Sequence, residues 1–204
     1  MKFSLTRVIG TLLVATAFAG CSSAPPQVAE PSVSAPPPGW QQQYDQLLAL
    51  ESWALQGKIG IRTADDSASA GVSWKQQQDR FNITLAGPFG QGATISGSRR
   101  DATLEVSGQQ PISAGSPEEL LAYQFGWEFP VQAARYWVKG APAPESSYQA
   151  KFNSQGLAEL DQNGWHIQYR NYVDNGQLKL PTKVVLTRDE LKLTLLVRNW
   201  QKGL

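Results

Sequence analysis

Residues 53–62 read WALQGKIGIR, and the period of that stretch decides the fold class. Trp53, Leu55, Ile59 and Ile61 alternate with Gln56, Lys58 and Arg62, so apolar side chains share one face and polar ones the other. A period of two is the signature of a strand with one buried face. The alternation recurs in Val72 and Trp74, in Phe81, Ile83 and Leu85, and in Leu104 and Val106. It returns in Trp165, Ile167 and Tyr169 and in Leu191, Leu193, Leu195 and Val197. Asp65-Asp66, Gln78-Asp79, Arg100-Asp101, Asn163-Gly164, Asn175-Gly176 and Arg188-Asp189 mark turns. Closely spaced strands with short connections imply a strongly curved antiparallel sheet or a partial barrel.

Three segments depart from this pattern. Trp40, Tyr44, Leu47, Leu48 and Glu51 follow helical spacing with one apolar stripe. Ser116-Pro117-Glu118-Glu119 is a capping box with proline at the first helical position; it opens a helix through Leu120, Leu121 and Phe125 that stops at Gly126. Pro130 to Lys139 reads as a third helix ending at Gly140. A single curved sheet cannot bury both faces, so the two central helices are expected to plug or lid its concave side. The fold class is therefore mainly β with a few helices, an incomplete barrel closed over a hydrophobic cavity.

The amino terminus carries a different signal. Lys2 and Arg7 precede an apolar stretch from Val8 to Ala19 and the small residues Ala19-Gly20, directly before Cys21, the chain's single cysteine. A basic start, an apolar middle and small residues at a cut point make a secretory signal. The stretch is shorter than the roughly 20 residues a membrane-spanning helix needs. Residues 1–20 are expected to leave as a lipoprotein signal peptide, with Cys21 carrying the lipid anchor. Ser22, not aspartate, follows it, which points to the outer membrane. Residues 21–39, the cysteine and a Pro/Ser/Ala-rich run, read as an extended tether, and residues 40–204 as one domain of ordinary size.

Composition excludes several classes of chemistry. Without Lys2 and Arg7, the 18 basic residues fall to 16 against 17 acidic ones, which is no basic stripe for nucleic acid. His166 is the lone histidine, and alternation turns it away from Trp165, Ile167 and Tyr169. One histidine and no cysteine after Cys21 make no typical zinc site. The glycine-rich run GPFGQG at 87–92 lacks the Lys-Ser/Thr of a phosphate loop. No enzyme, cofactor or metal is expected.

The positive signal is aromatic. Seven Trp, seven Phe and six Tyr suit either a large aromatic core or the walls of an apolar cavity. Phe89 lies in a turn, Gly87-Pro88-Phe89-Gly90, between two strands. Its ring either folds back on the core or projects as an apolar wedge that enters a bilayer, where burial is worth about 1.5–3 kcal/mol.

Several stretches resemble one family. They are Cys21 with its leader, the run Trp74-Lys75-Gln76-Gln77-Gln78-Asp79-Arg80-Phe81, and Leu85-Ala86-Gly87-Pro88-Phe89-Gly90. Further on come Arg135 to Pro142 (RYWVKGAP), Asn163-Gly164-Trp165 with Tyr169, Pro181, and Arg198-Asn199-Trp200. In order and spacing, across residues 40–204, they are similar to the outer-membrane lipoprotein receptors called LolB. That resemblance implies an antiparallel half-barrel of about eleven strands, a half-open relative of up-and-down barrels, with a hydrophobic cavity under helices. It also implies that acylated lipoprotein cargo arrives from a soluble periplasmic carrier of the LolA type and is inserted into the inner leaflet of the outer membrane. In that family a protruding apolar residue of the Pro-x-Gly loop serves insertion; here Pro88, Phe89 and Gly90 hold those positions, with Phe where Leu is more familiar.

Without ATP in the periplasm, such transfer must run downhill between apolar cavities, since each exposed methylene costs about 0.8 kcal/mol. The expected cavity walls are Trp53, Leu55, Ile59, Trp74, Phe81, Ile83, Trp165, Ile167 and Leu193 from the strands and Trp137 from the helices. A slip of one residue would turn that set to the other face. The chain is expected to act as a monomer, lipid-anchored and facing the periplasm. The competing readings are a structural lipoprotein that scaffolds an envelope assembly and a hydrolase with an unrecognised site.

Overall fold

The structure is a computed structural model that describes residues 32–87, 92–126, 128–144, 146–176 and 178–203. Cys21, Pro88, Phe89 and Gly90 lie outside the described residues. After helix α1 (Trp40–Ala49) come six strands: β1 (Ser52–Arg62), β2 (Ser67–Gln77), β3 (Arg80–Ala86), β4 (Gly92–Gly97), β5 (Ala102–Val106) and β6 (Ile112–Ala114). Helices α2 (Pro117–Phe125) and α3 (Val131–Trp137) follow. Five more strands complete the chain: β7 (Tyr148–Asn153), β8 (Gly156–Gln162), β9 (Trp165–Asn175), β10 (Leu178–Arg188) and β11 (Leu191–Lys202). No helix among the described residues is long and apolar enough to cross a membrane.

Among the described residues all eleven strands form one sheet in the order β6-β5-β4-β3-β2-β1-β11-β10-β9-β8-β7, antiparallel throughout. The sheet is two meanders joined at the centre, where β1 pairs with β11. Its edges are β6 and β7, and α2 and α3 carry the chain from one edge to the other. That connection must cross a face of the sheet. Leu120, Leu121, Val131, Ala134 and Trp137 of these helices are buried in the same apolar cluster as the strand residues.

Register aligns the apolar face into continuous rows. One row runs Leu55, Trp74, Ile83, Ile95, Leu104 and Ile112 across the first meander. Another runs Ile61, Leu193, Leu186, Ile167, Leu160 and Ala150 across the second. Directly opposed apolar pairs of this kind stabilise a sheet by about 0.2–1 kcal/mol each. At the seam, Gln56 faces Asn199 while Gly57 faces Val197, so Arg198 is an extra residue in β11. Such a bulge sharpens local twist and bends the sheet. Gly57 permits it, because a Cβ there would collide with the backbone oxygen of Leu196.

The helices start and stop as their sequences require. Ser116 Oγ accepts a hydrogen bond from Glu119 N at 3.1 Å, and Glu119 Oε2 accepts one from Gly115 N at 3.1 Å. Gly126 ends α2 with φ of 74°, a left-handed conformation that glycine adopts without steric penalty. The Asn163-Gly164 turn has φ of 54° and 76°, as a two-residue hairpin turn demands. The third helix is shorter than the span Pro130 to Lys139 suggests, ending at Trp137.

Candidate functional site: the apolar inner face

The expected wall residues share one face. Trp53, Leu55, Trp74, Phe81, Ile83, Trp165, Ile167 and Leu193 from the strands and Trp137 from α3 are buried in a single cluster, with Ile59 half-buried against it. Aromatic rings dominate one part of it. Trp53 lies 5.4 Å from Trp74 and 5.6 Å from Trp200 between ring centres, while Trp165 meets Phe129 edge-on at 5.5 Å and Trp137 at 6.3 Å. Offset and edge-on pairs add about 0.5–1.5 kcal/mol each beyond their burial.

Burial is uneven along the strands of the first meander. At the end holding the Gln78-Asp79 turn, Trp53, Phe81 and Ala102 are buried. Towards the other end, where β3 runs into residues 87–91, the inward positions Ile59, Ile61, Leu85, Ala93 and Val106 are only partly covered. They are aliphatic, and Leu85 and Ala93 flank the Pro88-Phe89-Gly90 segment in sequence. The face thus grades from packed aromatic to half-open aliphatic.

Among the described residues three polar side chains are buried, and nothing in the sequence patterning had given any of them a role. Gln162 of β8 makes four bonds: its Oε1 accepts from Trp137 Nε1 (2.7 Å) and Ala143 N (2.9 Å), and its Nε2 donates to Ala143 O (2.8 Å) and Ser146 O (2.9 Å). Gln76 accepts from Trp74 Nε1 at 3.1 Å and donates to Gln78 O at 2.9 Å. Lys139 Nζ donates to Leu47 O at 2.6 Å and to Leu50 O at 2.8 Å, the carbonyls that end α1. Burial pushes the Lys139 amine down to about 7, Arg135 pushes the same way, and Glu51 opposes them. Arg135 Nη1 also donates to Gln78 O at 3.0 Å. The C-terminal end of α3 is therefore tied to β8, to α1 and to the β2–β3 turn. Alternation continued from Trp74 would have placed Gln76 inward; nothing local marks Lys139.

On the inner face, Trp165 Nε1 and Tyr169 OH are buried with no hydrogen-bond partner among the described residues. Such donors cost about 1–3 kcal/mol unless something supplies an acceptor. His166 points the other way, partly exposed, with Nδ1 2.7 Å from Asp161 Oδ1.

An open antiparallel sheet whose edges are bridged by helices places the chain in a known fold class. A LolA superfamily protein from Nitrosomonas europaea superposes with a TM-score of 0.51 at 10% identity, covering 79% of this chain and 92% of that one. A DUF1329 family protein from Desulfovibrio piger matches equally well, with a TM-score of 0.51, 6% identity and coverage of 81% and 93%. These likenesses speak to fold alone. Sequence goes further: the family described as outer membrane lipoprotein LolB matches residues 51–200. The outer-membrane lipoprotein LolB of Chromohalobacter salexigens is 38% identical over 194 residues, which is 95% of this chain and 89% of the relative. That of Pseudomonas putida W619 is 41% identical over 167 residues, 81% and 82% of the two chains. The chain belongs to the LolB family, a family of lipoprotein-transport receptors and not of enzymes.

Proposed function

We propose that this protein is an outer-membrane lipoprotein that accepts acylated lipoproteins from a soluble periplasmic carrier and delivers their acyl chains to the inner leaflet of the outer membrane. Family membership supports the localisation role. The acyl-chain mechanism rests on one observation: a continuous apolar face, half-open at Ile59, Ile61, Leu85, Ala93 and Val106. Hydrocarbon enters there and extends over Trp74, Ile83 and Ile167 as α2 and α3 shift outward as a lid. Ester carbonyls of the cargo then offer acceptors to Trp165 Nε1 and Tyr169 OH. Cys21 holds the receptor to the membrane, the segment after it spaces the domain from the bilayer, and one copy suffices. Phe89 acts at the exit, as a ring that enters the leaflet while the chains pass.

The test uses an apolar dye bound to the inner face and liposomes as acceptor. A lipoprotein should displace the dye from both wild type and Phe89→Glu, but the variant should fail to deliver its cargo to liposomes. Normal delivery by Phe89→Glu removes the wedge. A dye that no lipoprotein displaces removes the acyl-binding face itself.

A further inference from the structure

Val33 of the proline-rich linker pairs with the free edge of the sheet. Its N–H donates to Phe152 O at 2.8 Å, and Phe152 N–H donates back to Val33 O at 2.7 Å, an antiparallel bridge on the outer side of β7. Among the described residues the outer edge of β7 makes no other backbone hydrogen bond. Proline cannot donate to a ladder, and Pro31 and Pro36 bracket the stretch that pairs. Pro31 therefore blocks a further rung on its side, and the linker's grip here is that single bridge. The Val33 side chain is 59% exposed, so the contact is made by backbone and not by a side-chain pocket.

From this we infer that the β7 edge is a strand-addition site, held weakly by the chain's own linker and open to the extended peptide that follows the acylated residue of a cargo lipoprotein. This rests on the acyl-binding reading above. An edge that is long, bare and already pairs with a linker of this chemistry is a template for another. Strand addition draws affinity from main-chain bonds, which suits cargo linkers of differing sequence. The opposite edge fits the role less well: β6 spans Ile112–Ala114, half the length of β7. Phe152 also joins the edge to the interior, its buried ring meeting Trp40 of α1 edge-on at 4.9 Å.

The experiment takes the full lipid-anchored chain in nanodiscs, as wild type and as Val33→Pro, and two dipalmitoyl lipopeptides with short Ser/Ala-rich linkers. The second lipopeptide carries N-methyl groups on alternate backbone amides, which removes ladder donors and keeps the acyl chains. Dye displacement reports acyl binding, and amide hydrogen exchange at Tyr148–Asn153 reports the edge. Val33→Pro should speed exchange at Phe152. The unmethylated lipopeptide should slow it again and bind about tenfold more tightly than the methylated one, the worth of one or two ladder bonds. If both peptides displace dye equally and neither slows exchange at β7, the edge site is overturned and the acyl reading stands. If neither displaces dye, the acyl reading fails and this inference falls with it.

Discussion

Lys139 is buried, yet its amine meets two acceptors, Leu47 O and Leu50 O. A neutral amine keeps two N–H groups and can serve both, so burial selects against the charge without breaking the clasp. The unfolded chain holds the proton up to about 10.5 and the fold only up to about 7. Between those values the unfolded state binds more protons, so this residue makes stability rise with pH. Lys139→Met should flatten that rise. It leaves the two carbonyls unpaired, at about 1–3 kcal/mol each where water cannot reach, but relieves the buried charge at neutral pH. Urea unfolding at pH 7 and pH 9.5 should show the variant losing more against wild type at the higher pH; equal losses would disprove the shifted amine. A single lysine before Gly140 reads in sequence as an ordinary helix-end charge. Its burial depends on α1, 92 residues earlier for the Leu47 contact, so no local pattern could disclose it. The inward residues were different, because alternation carries their direction in the sequence itself.

Among the elements, α2 shows how local chemistry can be written out in full. Proline at its first position, the Ser116 cap and the Gly126 stop all appear where the sequence places them. Ser116→Ala removes the bond to Glu119 N and should cost about 1 kcal/mol. Thermal unfolding should show the corresponding fall in midpoint, and Ser116→Asp should restore it; no change with alanine would mean the cap contributes nothing. Other elements were hidden for physical reasons. In β8 apolar and small residues occupy consecutive positions, GLAEL, and all but the glutamate are buried, so no alternation survives. β10 contains Pro181, which argues against a strand. Its pairing with β11 runs only from Lys183 to Arg188, so the missing N–H of Pro181 falls outside that ladder. Pro181 O is used instead, accepting from Trp200 Nε1 at 3.1 Å.

For the molecule as a whole, sheet order was the least legible property. Each strand's period says which face is buried but not which strand is its neighbour, and β1 could have paired with any partner of matching face. Only the assembled sheet puts the first and last strands side by side. Stopping the chain after Arg188 should therefore do more than remove an edge: it exposes the inner rows at Ile59, Ile61 and Val184 and splits the meanders. The truncated chain should lose its cooperative unfolding transition and bind a dye for exposed apolar surface, whereas a sheet that tolerated the loss would still melt sharply.

The central seam also sets a clock. Trp53 waits for Lys202 before its ladder is complete, so the two halves cannot lock until the eleventh strand has been made. Contacts so distant along the chain form slowly. A polypeptide built this way stays pliable through most of its synthesis and takes its final shape only when the two halves meet along β1 and β11.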